Sequence, residues 1–181
     1  MIYVFLANGF EEIEALTPVD FLRRAGIDVK TVGIGGKICV GTHGVKVEAD
    51  ILPEDVALDG NLQGIVLPGG MPGADNLDRS ATVQKAIDYC FENGKIISAI
   101  CAAPFILGKK GVLKGKRATC FPGFEKYLDG AETVGEGVVT DGSLITAKGA
   151  GVAWEFSEAI AEKIIGKEKS AEILGAIQWR K

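Results

Sequence analysis

The sequence predicts an α/β domain with a central, mostly parallel β-sheet and a nucleophile elbow at one strand end. Several short, nearly continuous apolar runs are bounded by turn residues, which is typical of parallel strands buried on both faces. Residues 2–34 also read as a strand, an amphipathic helix and a second strand, and such a βαβ unit joins parallel strands by a right-handed crossover. The elbow is expected where a cysteine separates an apolar run from a helix start.

In the first half of the chain, apolar periodicity and turn residues define the elements. The segment Gly33–Lys37 does not match a phosphate-binding loop, because neither Ser nor Thr follows the lysine and Ile38 replaces the third glycine of the dinucleotide pattern. We therefore expect a hairpin turn there. The predicted elements are strands at Ile2–Ala7, Asp28–Ile34, Ile38–Val40, Val45–Ala49 and Ile65–Leu67, and helices from about Glu11 to Ala25 and from Thr82 to Asn93.

The second half contains the clearest hairpin signal, because Asp141-Gly142-Ser143 separates two short apolar strands. The sequence Gly149-Ala150-Gly151 is expected to open a core helix whose apolar side chains share one stripe. The predicted elements here are strands at Ile96–Ile100, Lys116–Phe121, Val138–Thr140 and Leu144–Ala147, and helices that begin at Ala102, after Gly151 and at Ala171.

Composition restricts the class of protein. The 181 residues are enough for one domain with a substantial core, and no change in composition marks a second, so we predict a single domain over residues 1–181. The net charge of −4 argues against a specific nucleic-acid partner. No apolar run approaches the ~20 residues of a membrane span, and no signal peptide is evident. We therefore expect a cytoplasmic protein with no membrane association.

The cysteines and the histidine do not form a metal-binding pattern. The four cysteines are irregularly spaced without a Cys-x-x-Cys pair, and His43 is the single histidine, so no metal site is predicted. Free thiols are expected in a reducing compartment. His43 lies in a predicted turn, where a solvated side chain is the expected state. No cofactor motif is present, and we predict that no cofactor is required.

The segment Gly94–Leu107, GKIISAICAAPFIL, predicts the elbow itself. A buried strand ends at Cys101, and the following residues open a helix in which Pro104 occupies the first turn, where proline is tolerated. A thiol at this junction lies at the positive end of a helix dipole among unpaired N–H groups. Such an environment lowers a thiol pKa and supplies donors to an oxyanion. The alternative is that Cys101 merely packs, as buried free cysteines commonly do.

Several predicted strands end in residues suited to a site. Ligands of open parallel sheets bind beyond the carboxyl ends of the strands. The Gly/Pro cluster Pro68–Gly73 either aims N–H groups at an anion or forms a plain turn. The strand ends that carry unusual residues are Asn8-Gly9, Gly69-Gly70, Cys101 and Lys148-Gly149-Ala150-Gly151.

If these strands share one sheet, chemistry at Cys101 has the groups that it needs. A carboxylate from the first helix would share a proton with the Cys101 sulfur, and the N–H groups of Gly70 and Ala102 would form an anion hole. An imidazole base is missing, because residue 102 is alanine and His43 lies in a distant loop. The pattern therefore argues against a Cys-His-Asp triad of the amidotransferase or protease kind.

At these positions the chain resembles the ThiJ/PfpI family, also called the DJ-1 superfamily. The motifs lie in family order along nearly the whole chain, and together they are highly specific. They are Gly9-Phe10-Glu11-Glu12-Ile13-Glu14, Val66-Leu67-Pro68-Gly69-Gly70, Ala99-Ile100-Cys101-Ala102-Ala103-Pro104 and Lys148-Gly149-Ala150-Gly151.

The resemblance implies a flavodoxin-like three-layer α/β sandwich of the class I glutamine amidotransferase kind, usually found as a homodimer. It selects Glu14 among the three acidic residues as the partner of the Cys101 thiolate. It gives Gly70 and Ala102 the role of the N–H pair that holds an oxidised sulfur or a substrate oxygen. It also places Gly69, Phe121, Gly149 and Ala150 in the surrounding pocket.

Three residues depart from other members of the family. Ala102 stands where the protease-like branch has histidine, which argues against peptidase activity. Phe121 stands where the human-type branch has histidine, and this brings the chain closer to the bacterial ThiJ branch. Ala150 replaces a common proline beside the site, so the shape of the pocket is expected to differ locally.

Two functions are consistent with a reactive Cys101. The first is a cysteine-dependent stress-response enzyme of the glyoxalase III or deglycase kind, which acts on methylglyoxal-type α-oxoaldehydes or on early glycation adducts of proteins and nucleotides. The second is a redox sensor or chaperone whose Cys101 stops at sulfinate without turnover. A disulfide between Cys101 and Cys120, about one strand away, is a third possibility that geometry decides.

Overall fold

The computed structural model describes residues 1–179 of the chain, which form a central six-stranded sheet and two small two-stranded sheets. The strands are β1 (Ile2–Ala7), β2 (Val29–Ile34), β3 (Ile38–Val40), β4 (Lys46–Glu48), β5 (Gly64–Leu67), β6 (Ile96–Ile100), β7 (Arg117–Ala118), β8 (Glu132–Thr133), β9 (Val138–Asp141) and β10 (Leu144–Ala147). The order in the central sheet is β2-β1-β5-β6-β10-β9, and only the edge strand β9 is antiparallel to its neighbour. The mostly parallel sheet predicted from the sequence is confirmed.

Helices cover both faces of this sheet. They are α1 (Glu12–Arg24), α2 (Gly73–Asp78), α3 (Ala81–Glu92), α4 (Pro104–Lys109), α5 (Ala153–Ile165) and α6 (Lys167–Ala176), with 3-10 turns at Pro53–Asp55, Glu125–Tyr127 and Ala150–Val152. Successive side chains of a strand point to opposite faces, so Phe5 of β1 belongs to one core and Leu6 to the other. The α/β sandwich is therefore confirmed, and the two-sided burial explains why the strands are apolar throughout.

The predicted convergence of strand ends is also found. The strands β1, β5, β6 and β10 run parallel, and Leu67 is paired with Ala99 while Ala147 is paired with Ile100. The residues that follow these pairs therefore leave the sheet side by side. The loops after β5, β6 and β10 meet at one edge, together with the loop after β1.

Some local predictions are wrong. The strand predicted over Lys116–Phe121 is only two residues long, and it pairs with β8 outside the central sheet. The segment Gly73–Asp78 is a short helix that was not predicted, because Gly73 and the preceding Pro72 are typical of turns. The last helix begins at Lys167 rather than Ala171. The turn at Gly35-Gly36 separates β2 from β3, but β3 forms its hairpin with β4 instead.

The described helices also bear on the question of membranes. Among residues 1–179, every helix is too short or too polar to cross a lipid bilayer.

Candidate active site

Cys101 occupies a strained position between β6 and α4. Its φ angle is +63°, in the left-handed region that residues with a Cβ rarely adopt. Hydrogen bonds fix the backbone on both sides, because Cys101 N–H donates to Ala147 O at 2.9 Å and Phe121 N–H donates to Cys101 O at 2.8 Å. The neighbouring strand end and the segment after β7 thus hold the sharp turn. The side chain is partly buried, and the geometry is that of a nucleophile elbow.

Glu14 lies beside the sulfur and is only 1% exposed. It belongs to the first turn of α1, and its carboxyl is hydrogen-bonded to the Cys101 side chain. Gly69 N–H donates to Glu14 Oε2 at 2.9 Å, and Ala150 N–H also donates to this carboxyl. The structure therefore brings together the two side chains that the sequence analysis paired, although they lie 87 positions apart in the chain.

Glycines make this close approach feasible. A Cβ on Gly69 would lie 2.6 Å from Glu14 Oε2 and 2.7 Å from Cys101 Cβ, so a larger residue would push the two side chains apart. Gly70 has a φ of +82°, and a Cβ there would lie 2.5 Å from both Glu11 N and Gly9 O. The Gly/Pro cluster is thus packed against the elbow and is not a free turn.

The backbone N–H groups of Gly70 and Ala102 both donate to the Cys101 sulfur. They come from two different loops, one after β5 and one after β6. The geometry matches the N–H pair expected from the sequence. Donors fixed in this way stabilise negative charge on the sulfur or on an oxygen bonded to it.

The protonation of the pair differs from the expectation. Burial raises the pKa of Glu14 to about 7, and the negative charge of Glu11 adds to the rise, while hydrogen bonds from Cys101 and the backbone oppose it. Burial also raises the pKa of Cys101 to about 12, helped by the charge of Glu14 and opposed by the two N–H groups. The prediction of a low pKa for the Cys101 thiol is therefore wrong for the state in which Glu14 is ionised. In that state, burial and the adjacent carboxylate charge outweigh the effect of the N–H groups. Between the loss of the first proton and the loss of the second, Glu14 and Cys101 share one proton. The sulfur is a thiolate whenever that proton is on Glu14.

An open pocket lies at the loop after β10. Its volume is about 390 Å³, and Phe121, Gly149 and Ala150 are among its lining residues. The Phe121 side chain is 48% exposed, and a Cβ on Gly149 would lie 3.5 Å from its ring and 3.8 Å from Glu14 Oε1. Of the predicted pocket residues, Gly69, Gly149 and Ala150 therefore lie beside Glu14, and Phe121 lies beside Gly149. Ala150 has a specific consequence, because a proline at this position would lack the N–H that Ala150 donates to Glu14.

His43 has a partner that the sequence analysis missed. Its side chain is 72% exposed, as predicted for a turn, but Nδ1 lies 2.8 Å from Glu12 Oε2. Glu12 Oε1 accepts the His43 N–H at 2.7 Å, and Thr42 Oγ1 donates to Glu12 Oε2 at 3.2 Å. A Cβ on Gly41 would lie 2.3 Å from Glu12 Oε1. The Glu12 carboxylate fastens the β3–β4 turn to α1. Gly41, which leaves space for this carboxylate, is the feature of the sequence that could have indicated the contact.

Three potential metal ligands lie close together at this turn. Glu11, Glu12 and His43 each place one ligand atom within 4.8 Å of the others. The carboxylate oxygens of Glu12 and the Nδ1 atom of His43 already take part in hydrogen bonds with one another and with the turn. We therefore assign these residues to fastening the turn and not to holding a metal.

Replacement of Glu12 by glutamine is expected to lower the free energy of unfolding by about 1–3 kcal/mol at pH 7. Burial raises the pKa of Glu12, but hydrogen bonds from His43, its own backbone and Thr42 lower it from 4.5 to about 2 overall. A depressed folded-state pKa stabilises the fold above pH 4.5, and this contribution is lost as the pH falls towards 2. The difference between wild type and Glu12→Gln should therefore shrink between pH 7 and pH 3.

Urea denaturation at the two pH values measures this change. The control is Glu48→Gln, because Glu48 is exposed and lies 3.6 Å from Lys37 in a surface ion pair, so its loss should change stability by less than about 0.5 kcal/mol. An equal difference at both pH values would contradict the assignment.

The state of the cysteines bears on the predicted alternative of a disulfide between Cys101 and Cys120. Among residues 1–179, all four cysteines are free, so the pairing of Cys101 with Cys120 is not formed in this structure. Cys120 is 3% exposed, and burial raises its pKa to about 11. Cys101 is the one cysteine that is not fully buried, which singles it out for reaction with a molecule from solution.

Comparison with known proteins gives the family. The model of the DJ-1/PfpI family matches residues 1–163. The chain is 38% identical over 178 residues to Protein DJ-1 homolog B of Arabidopsis thaliana, covering 97% of this chain and 40% of that protein. It is 39% identical over 173 residues to Protein dj-1beta of Drosophila melanogaster, covering 94% and 92%. The chain thus spans less than half of the plant relative and nearly all of the insect one.

Solved structures agree with the sequence relatives. An oxidized DJ-1 from Toxoplasma gondii has a TM-score of 0.94 and 31% identity, with 99% of this chain and 98% of that chain covered. The crystal structure of Drosophila DJ-1beta also has a TM-score of 0.94, with 37% identity and the same coverage. The elbow, the buried glutamate and the sheet order are thus found in a chain that belongs to the DJ-1/PfpI family.

Proposed function

We propose that this protein is a cysteine-dependent stress-response enzyme that acts on methylglyoxal-type α-oxoaldehydes or on early glycation adducts of proteins and nucleotides. The observation that carries the proposal is the hydrogen bond between the Cys101 thiol and the Glu14 carboxyl, which has a pKa raised to about 7 by burial. A group with this pKa exchanges protons readily near neutral pH. Glyoxalase III or deglycase chemistry needs such a nucleophile and such a proton carrier, with water as the only co-reactant.

The first step forms a carbon–sulfur bond. With the shared proton on Glu14, the Cys101 thiolate attacks the aldehyde carbon of methylglyoxal, and the C=O electron pair moves to oxygen. The N–H groups of Gly70 and Ala102, which donate to the sulfur in the free protein, are placed beside the new alkoxide. Glu14 then gives its proton to that oxygen, and the product of the step is a neutral hemithioacetal.

The second step moves a hydrogen between the two carbons. The Glu14 carboxylate takes the proton from the hemithioacetal carbon and returns it to the adjacent ketone carbon through an enediol. The hydroxyl proton of the hemithioacetal passes to the former ketone oxygen, so the former aldehyde carbon becomes a thioester and its neighbour carries the hydroxyl. Water hydrolyses this thioester to lactate and restores the Cys101 thiol. The sum is methylglyoxal plus water to lactate, with one carbon oxidised and its neighbour reduced.

The test of this proposal is lactate formation by the wild-type protein from methylglyoxal in the absence of glutathione. We expect steady turnover that stops when Cys101 is first alkylated with iodoacetamide. Cys120→Ser is the matched thiol control and should retain turnover, because Cys120 is buried. If lactate forms no faster with the protein than in a protein-free blank, the proposal is wrong.

The second candidate function is a redox sensor or chaperone. The observation that favours it is the set of donors around the sulfur, which comprises two N–H groups and the Glu14 carboxyl when protonated. Sulfinate oxygens are anionic acceptors, so this set favours arrest at that oxidation state. The similarity to an oxidized DJ-1 from Toxoplasma gondii supports it further.

Mild hydrogen peroxide distinguishes this candidate. Two successive two-electron oxidations by peroxide convert the Cys101 thiolate to sulfenate and then to sulfinate. Mass spectrometry should show two added oxygens on Cys101 and none on Cys39 or Cys90, because both are buried and burial raises their thiol pKa values. Equal oxidation of all four cysteines would rule out a dedicated sensor.

We also propose that the chain forms a homodimer, as the family resemblance implies. Ile13 on α1 and Val45 in the β3–β4 turn are large apolar residues with about half of their surface exposed. Both lie beside Glu12, because Val45 N–H is 3.5 Å from Glu12 Oε1 and Ile13 follows Glu12 in the chain. The molar mass in solution, measured by sedimentation equilibrium, tests this assembly. A cytoplasmic location stays a prediction.

A further inference from the structure

Glu11 is linked to the reactive pair by a closed set of hydrogen bonds. It caps α1, and its Oε2 accepts the Glu14 N–H at 2.8 Å. Its own N–H donates to Gly69 O at 3.0 Å, and Gly69 N–H donates to Glu14 Oε2 at 2.9 Å. The start of α1 and the loop after β5 are therefore fixed to each other through Glu11. Displacement of this residue would alter the direction from which Glu14 meets the sulfur.

The charge of Glu11 acts unequally on the two members of the pair. Its side chain is 15% exposed, so water screens the charge only partly. Glu11 is among the groups that raise the pKa of Glu14. The charge that raises the pKa of Cys101 is that of Glu14, after burial. A negative charge that acts mainly on the carboxyl makes the carboxylate less favourable than the thiolate.

We propose that Glu11 is a positioning residue whose negative charge shifts the shared proton towards Glu14 and thereby increases the thiolate fraction of Cys101. This inference rests on the proposed roles of Glu14 and Cys101. It concerns the part that Glu11 takes in distributing the proton between them. Glu11 acts through Glu14 and does not itself touch a substrate.

Charged groups from other elements also face these carboxyls. His43 Nδ1, from the β3–β4 turn, lies 3.9 Å from Glu11 Oε1 and is held by Glu12 at 2.8 Å. Glu12 raises the pKa of His43, so the imidazolium form and its partial cancellation of the Glu11 charge persist above the ordinary histidine range. Glu14 itself is faced by Glu11 and Cys101. The balance at the site thus depends on the Glu11 charge more than on any distant group.

The test is the pH dependence of Cys101 alkylation by iodoacetamide in Glu11→Gln, read by mass spectrometry of the Cys101 peptide. Glutamine retains an oxygen that can cap α1 but has no charge, so the fold should be retained. Without the charge, Glu14 ionises more readily and the shared proton moves towards the sulfur. We expect the midpoint of the alkylation rate to shift to lower pH and the plateau above it to fall by about three- to tenfold. Alkylation rates at pH values below the midpoint should equal those of the wild type. In that range Glu14 is protonated, and the loss of the Glu11 charge does not change the ionisation of the sulfur.

Ala150→Pro should have the opposite effect. Proline removes an N–H that donates to the Glu14 carboxyl and favours its ionised form. The midpoint of the alkylation profile should shift to higher pH, and the alkylation rate on the plateau above it should increase. A general loosening of the site would instead change the rate at every pH and in the same direction for both variants.

Two controls keep the inference separate from the proposed function. Asp20→Asn removes a negative charge from the exposed side of the same helix, where Asp20 pairs with Arg24, and should leave the profile unchanged. In a Glu14→Gln background, Glu11→Gln should have no further effect on the midpoint. If Glu14→Gln itself leaves the wild-type profile intact, the proposed pairing of Glu14 with Cys101 fails. If only Glu11→Gln leaves it intact, this inference alone is overturned.

Discussion

Replacement of Cys101 by serine is expected to reduce lactate formation from methylglyoxal by at least about a thousandfold. The serine hydroxyl can occupy the same space, but it does not ionise at neutral pH and is a poor nucleophile without a strong base. Glu14 is the acid–base group hydrogen-bonded to this side chain, and a carboxyl with a pKa of about 7 cannot deprotonate an alcohol effectively. The sulfur is therefore the part of the elbow that the proposed reaction cannot replace.

The stability of the variant makes this result interpretable. The backbone bonds of residue 101 to Ala147 and Phe121 do not involve the side chain, so Cys101→Ser should fold and melt close to the wild type. Thermal unfolding and circular dichroism verify this point. Turnover within about tenfold of the wild type would mean that another group performs the reaction.

Replacement of Glu14 by glutamine is expected to lower turnover by about 10²–10⁴-fold, the range of a lost general acid–base group. Glutamine retains an oxygen for the N–H of Gly69, so the loop after β5 should keep its place. It cannot carry the proton from one carbon to the other in the second step. Attack by sulfur would continue slowly, and the hemithioacetal should accumulate as a mass adduct on Cys101.

The pH profile gives an independent signature of Glu14. Burial raises the pKa of Glu14 to about 7, so the wild-type pair loses its first proton near neutral pH and thiolate reactivity rises through that step. Glu14→Gln has no such step, and its Cys101 should react only as the pH becomes alkaline, because burial still raises the pKa of the thiol. Iodoacetamide alkylation between pH 5 and pH 10 measures both profiles. A step near pH 7 that survives in Glu14→Gln would assign it to another group.

Much of the fold could be predicted from the sequence because strands buried on two faces leave a continuous apolar signal. The runs at Ile2–Ala7 and Ile96–Ile100 match β1 and β6 residue for residue. Edge elements lack that signal, and the strand predicted at Lys116–Phe121 contracts to Arg117–Ala118. The short helix at Gly73–Asp78 was missed because its packing against β1 outweighs the low helix propensity of Gly73, and because the preceding Pro72 is typical of a turn.

The site was less completely predictable. Spacing alone placed Cys101 at an elbow, and parallel strands imply that Gly70 and Ala102 meet there. The choice of Glu14 from three neighbouring glutamates came from family resemblance, since periodicity does not separate Glu12 from Glu14. The structure shows that Glu14 faces Cys101 while Glu12 faces His43, because the two positions lie on different sides of α1.

By itself, the sequence determined the parallel sheet, the elbow and the set of residues brought to its edge, because these follow from apolar runs and from the direction in which parallel strands end. Only the tertiary structure decided how the protons are distributed. Burial of Glu14 beside Cys101 raises both pKa values, an effect that depends on distance and exclusion of water and leaves no mark in residue order.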